Sequence, residues 1–97
     1  MKTLLEIQHT LQEHKEPLRH RFGLINFAVF GSVVRGDATE ESDIDILADT
    51  ERPISMFELA GAENYLIDLL DMEVDLVLRR SVRAELREKI IEESIPV

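Results

Sequence analysis

Phe30-Gly31-Ser32-Val33-Val34-Arg35-Gly36-Asp37-Ala38-Thr39-Glu40-Glu41-Ser42-Asp43-Ile44-Asp45-Ile46-Leu47 holds the deciding pattern of this 97-residue chain. The apolar run from Ile25 to Phe30 reads as a buried strand that stops at Gly31. Residues 32–36 read as a turn or short helix, and residues 37–42 as a polar turn. Residues 43–48 form a second strand in which Ile44 and Ile46 face one way, Asp43 and Asp45 the other. A backbone turn of phosphate size is thereby set beside two carboxylates on one strand face.

Outward from this stretch, helical periodicity takes over. Leu4, Ile7 and Leu11 predict a helix over 2–14. Pro17 breaks or restarts it, and a short continuation through Leu18, Arg19 and Arg21 is capped by Gly23. On the C-terminal side, Ser55 and Glu58 fit a capping box. The helix they open carries Leu59, Ala62, Leu66 and Leu69 or Leu70 on one side. Glu73 to Leu78 is a third strand, with Val74, Leu76 and Leu78 on one face and Asp75 on the other. Ser81 is expected to open a last helix through Val82, Leu86 and Ile90, and Pro96-Val97 to end the chain. The order predicts an α/β (α+β) sandwich: a small sheet of about three strands flanked by about four helices. Sheet direction and strand order stay open at this point.

Composition narrows the function. A chain of this length is expected to form one domain, residues 1–97, burying roughly 60–65% of its unfolded surface. That leaves no room for a second, acceptor-binding domain. With no cysteine there is no disulfide framework and no thiolate metal site. No long apolar run suggests a signal peptide or spanning helix, so cytoplasmic residence without membrane contact is expected. The net charge of −9 argues against direct nucleic-acid binding, which needs a basic footprint. It suits a protein that collects cations or meets a basic partner, although solubility alone also explains it.

The carboxylates carry the chemistry. Asp43 and Asp45 project to the same side of one strand, a spacing suited to two hard cations bound close together. Magnesium takes a few carboxylates plus phosphate oxygens, and two such ions clamp the attacking and leaving oxygens of an in-line phosphoryl displacement. Asp75, turned away from Val74 and Leu76, is the natural third ligand and a candidate to take the proton of the attacking hydroxyl. Gly31 lets the backbone approach a ligand closely. Amides at the start of the next turn favour phosphate, and the Ser32 hydroxyl adds a donor. Arg35 is divided between a phosphate contact and a local pair with Asp37, Glu40 or Glu41. Asp-x-Asp alone is weak, and Gly-Ser weaker; Gly-Ser at a strand end, Ser42-Asp43-Ile44-Asp45 opening the next strand and Val74-Asp75-Leu76-Val77 in a third are strong together.

Gly31-Ser32-Val33-Val34-Arg35-Gly36 followed by Ser42-Asp43-Ile44-Asp45 resembles the signature of the DNA polymerase β nucleotidyltransferase superfamily, and more narrowly of its minimal nucleotidyltransferases, the MNT group. Val74 to Val77 resembles that family's third-aspartate strand, and Leu86 to Pro96 its closing helix. The resemblance runs from about residue 22 to the end; Val34 departs from it, standing where the family often has a small residue. It implies a polymerase β-like fold with a small mixed sheet, in which Gly31, Ser32, Arg35 and Ser42 serve the nucleotide, with ATP as substrate. It further implies that Asp43, Asp45 and Asp75 hold magnesium, two ions in all. Minimal members are often made beside a HEPN-domain toxin, and the nucleotidyltransferase is then the antitoxin. The implied activity is AMP transfer from ATP to a hydroxyl of that partner. Two alternatives stand beside it: a non-catalytic binding module that neutralises its partner by occlusion, and transfer to a small molecule.

The remaining polar residues read more plainly. Asp49 shares parity with Asp45 but lies at the strand's far end, as a surface residue. Asp68 and Asp71 belong to a helix end and the turn after it. His9, His14 and His20 lack zinc-like spacing. Tyr65 reads as helix packing, Met56 and Met72 as core or loop. The exposed side of the helix from Ser55 to Leu70, with Phe57 and Tyr65, is a candidate interface, and a homo-oligomer is possible. No role is legible for Arg79, Arg80, Arg83 and Arg87.

Overall fold

The structure, a computed structural model, describes residues 2–97. Helix α1 (Leu4–Glu13) opens with a capping box: Thr3 Oγ1 accepts from the Glu6 N–H at 3.2 Å and Glu6 Oε1 from the Thr3 N–H at 3.0 Å. It ends at His14, three residues before Pro17, and α2 (Lys15–Phe22) follows directly. Pro17 lies inside the first turn of α2, where its missing N–H costs nothing. Gly23 caps α2 at φ +72°. Next come β1 (Leu24–Phe30), the single turn α3 (Ser32–Arg35), β2 (Ile44–Thr50), α4 (Met56–Leu70) and β3 (Val74–Leu78). A 3-10 turn at Arg79–Ser81, helix α5 (Ala84–Glu93) and β4 (Ile95–Pro96) complete the chain.

The sheet runs β3-β2-β1-β4. β1 is antiparallel to β2 and β4, while β2 and β3 are parallel. A parallel pair cannot be joined by a hairpin, and α4 supplies the crossover. The sheet is thus mixed, with a fourth strand beyond those expected. β4 is two residues long and holds a proline, so it shows no alternation. It pairs Ile95 with Val29 and Pro96 with Ala28 at the sheet edge, where a missing N–H is tolerated.

Both sheet faces are used, unequally. On one face α1, α2 and α4 bury Ile7, Leu11, Leu18, Leu66 and Leu70 against Ile44, Ile46, Val74 and Leu76. The other face carries only a small cluster, Ala28, Leu47 and Val82, edged by Phe30, Val77 and Ile90. Val82 explains why the last helix does not open at Ser81. Its side chain is buried on Leu47 and Ala28 with extended backbone, φ −74° and ψ 132°, and α5 starts only at Ala84. Leu86 is half exposed rather than packed.

Two of the arginines hold the far end of this sheet, and a third ties α5 to the segment before it. Arg79 donates to the Asn26 carbonyl at 2.6 Å and pairs with Asp49 at 3.2 Å. Arg80 donates to Thr50 Oγ1 at 2.8 Å, and Arg87 to the Val82 carbonyl at 3.0 Å. Asn26 sits at the β1 irregularity with φ +55°, a conformation asparagine tolerates, and its side chain also reaches Asp49. Of the two aromatics expected on the exposed side of α4, Phe57 is 92% exposed. Tyr65 instead packs edge-on against Phe22, with Arg21 over both rings.

Candidate functional site

The parallel pairing of β2 with β3 decides where the carboxylates stand. Ile44 pairs with Val74, Asp45 with Asp75 and Ile46 with Leu76. The isoleucines, Val74 and Leu76 are buried among the helices, so Asp45 and Asp75 lie side by side on the sparsely covered face. Asp43 precedes β2 by one residue and shares their parity. The Ile44 N–H donates to the Glu73 carbonyl at 2.9 Å, fastening the two strand starts together. Asp43 and Asp75 are exposed, while Asp45 is half-buried with Phe30 opposite it on β1. Burial, then the charges of Asp75 and Asp43, push the Asp45 carboxyl up to about 6; Arg35 opposes the rise and Glu93 adds to it.

Gly31 is set by Asp45. Its backbone takes φ +80° and ψ −150°, a region closed to residues with a side chain, and a Cβ there would overlap Oδ2 of Asp45. The glycine therefore vacates the space that the carboxylate fills. Beyond it, the Val34 and Arg35 amides bond to the Gly31 carbonyl, both at 3.1 Å. The Ser32 and Val33 amides lie in the first turn of α3, where no intrahelical acceptor exists, and none elsewhere among the described residues takes them. Gly36, at φ +84°, closes the turn.

The other anticipated nucleotide residues are differently engaged. Arg35 donates through Nη1 to Glu93 Oε1 at 2.6 Å and pairs through Nε with Asp37 at 3.4 Å. Ser42 Oγ accepts from the Thr39 N–H at 2.9 Å and lies 3.3 Å from Thr39 Oγ1, so this hydroxyl braces the loop before β2. Glu93 is the residue sequence reading missed. It lies 62 positions from Gly31, and its Oε1 accepts the Gly31 N–H at 2.9 Å. Only the pairing of β4 with β1 brings the end of α5 to this turn, and that pairing leaves no periodic trace.

The residues fit a hard divalent cation in kind. They offer carboxylate oxygens on one face; burial first, and then repulsion from Asp75 and Asp43, lift Asp45, and a cation relieves the repulsive part. Among the described residues no three His, Cys, Asp or Glu side chains converge on one point. Asp43 and Asp75 are exposed, so turning their carboxylates inward meets little resistance.

Comparison with known proteins agrees with this arrangement. The nucleotidyltransferase domain model matches residues 11–97. The protein adenylyltransferase MntA of Thermococcus cleftensis is 43% identical over 97 residues, covering 100% of this chain and 98% of the relative. A solved structure proposed to be a minimal nucleotidyltransferase superposes with a TM-score of 0.79 at 36% identity, covering 96% of this chain and 95% of the other. A chain of a toxin–antitoxin crystal structure with AMP-PNP superposes with a TM-score of 0.73 at 26% identity, over 88% of this chain and 69% of its own length. Sequence and fold converge, and this chain belongs to the nucleotidyltransferase domain family, as an enzyme of its minimal, polymerase β-like kind.

Proposed function

We propose that residues 1–97 form one minimal domain that moves AMP from ATP to a hydroxyl of a partner protein in a magnesium-dependent reaction. The observation that carries this reading is the register of Asp45 beside Asp75, with Asp43 one alternate step away, on the open face of the sheet and next to Gly31. Asp43 and Asp45 would hold the magnesium ions, two by the family resemblance, and Asp75 would complete the site. When bound, such ions supply charge neutralisation to the triphosphate and its departing pyrophosphate. Ser32, through its free amide and hydroxyl, and the Val33 amide would face the phosphates, with Arg35 offering its remaining donors. Asp75, exposed at the rim, would take the proton of the incoming hydroxyl. The hydroxyl oxygen then bonds to the α-phosphorus as the bond to the β-phosphate breaks, and pyrophosphate leaves.

Likeness to named proteins supports a protein acceptor. The Thermococcus relative is a protein adenylyltransferase, and the AMP-PNP structure is a toxin–antitoxin assembly. A HEPN-type toxin is the proposed partner, met in the cytoplasm, and no helix among the described residues is long and apolar enough to cross a membrane. The test is neutralisation of the protein encoded beside this one. Neutralisation should require ATP and magnesium, and Asp43→Ala and Asp45→Ala should abolish it. Equal neutralisation without ATP, by wild type and both variants, would replace this reading with occlusion by a binding module.

A further inference from the structure

Glu93 belongs to no part of the reaction described above, yet its carboxylate is joined to two residues of the proposed phosphate turn. Oε1 accepts from the Gly31 N–H at 2.9 Å and from Arg35 Nη1 at 2.6 Å. Its side chain is only 19% exposed, against 53% for Arg35. Two charge-assisted hydrogen bonds on one oxygen fix both partners more firmly than neutral bonds would. The flanking chain explains the placement: α5 ends at Glu93, Ser94 N–H closes on Ile90 and Ile91, and Ile95 enters the sheet beside Val29. The last turn of α5 is thereby pinned two residues from a strand that lies next to β1, and Glu93 points at the β1 end where Gly31 stands.

We propose that Glu93 is a positioning residue for nucleotide binding: it holds the Gly31 turn and the Arg35 guanidinium in the arrangement that receives the triphosphate. Arg35 has five N–H donors, of which Nη1 goes to Glu93 and Nε to Asp37. The two anchors take different edges of the guanidinium and leave the Nη2 N–H groups for a phosphate oxygen. The Gly31 amide is spent on Glu93, while those of Ser32 and Val33 stay open. The carboxylate thus fixes the frame and leaves the donors that face the ligand. Without it, Arg35 would be left with its long Asp37 contact, and the Gly31 amide would lose its acceptor.

This inference rests on the reading of the site as a nucleotide site, and one experiment separates the two. Binding of AMP-PNP with magnesium is measured by calorimetry for wild type, Glu93→Ala, Glu93→Gln and Arg35→Ala, each with its thermal midpoint. Wild type should bind. Glu93→Ala should weaken binding at least about tenfold, and Glu93→Gln, which keeps an acceptor of the same shape, by about threefold. In the Arg35→Ala background, Glu93→Gln should cost no more than about twofold. If wild type does not bind, the nucleotide reading itself fails. If wild type binds and Glu93→Ala binds equally well with a lowered thermal midpoint, Glu93 is only a structural tie and the proposal is overturned. Tighter binding by Glu93→Gln would overturn it in another way, by showing a carboxylate that competes with the triphosphate. The glutamine variant keeps the proposal testable if the alanine variant fails to fold.

Discussion

At Asp45 a half-buried carboxylate stands between Phe30 and Asp75, and its fold cost and its chemical use have one origin. In the folded protein it ionises near pH 6, against about 3.8 for the ordinary group. The folded state therefore retains a proton that the unfolded chain gives up between those values. Stability from this residue falls as pH rises from about 4 to about 6 and is level above. With half the group open to solvent, screening leaves a cost on the order of 1 kcal/mol at pH 7. Asp45→Asn should thus be more stable than wild type by that amount in urea unfolding at pH 7, and the gain should shrink at pH 4. An equal offset at both pH values would contradict this origin. Millimolar magnesium should raise the wild-type Tm at pH 7 by about 3 °C and leave Asp45→Asn unmoved. Gly31 is bound to the same group. Gly31→Ala meets both the forbidden φ and Oδ2 of Asp45, and should lose about 3 kcal/mol along with nucleotide binding.

Among the elements, those that declare themselves by pattern were legible. The alternation around Ile44 and Val74 and the capping box at Ser55 are local, and each appears where the residues demand it. Ser55 Oγ accepts the Glu58 N–H at 3.1 Å, and Ser55→Ala should cost about 1 kcal/mol in denaturant melts without altering nucleotide affinity. A change in affinity would mean that α4 reaches the site. Elements decided by distant packing were not legible. β4 exists because β1 offers it an edge, and the late start of α5 exists because burying Val82 outweighs one more helical turn. The same limit hid Glu93, whose meaning depends on that unseen strand. The carboxylate face could be read because parity along two strands is a property of the chain itself. The mutual register of Asp45 and Asp75 could not, since pairing is set by the whole sheet.

Over the whole molecule, α1, α2 and α4 pack on one face of the sheet and the carboxylates occupy the other, more thinly covered face, so the chemistry lies where the fold needs least cover. Four acidic groups, Asp43, Asp45, Asp75 and Glu93, lie around one turn with Arg35 among them. Such a face attracts a divalent cation first and an anionic nucleotide only with it. Label from ATP carrying 32P at the α-phosphate, followed onto the partner protein with magnesium present, tests this account most directly. Transfer should occur from α-labelled but not γ-labelled ATP, stop on chelation of magnesium, and fall at least about a hundredfold in Asp43→Ala, Asp45→Ala and Asp75→Ala. Transfer from the γ-phosphate, or undiminished transfer by the Asp45→Ala variant, would contradict it.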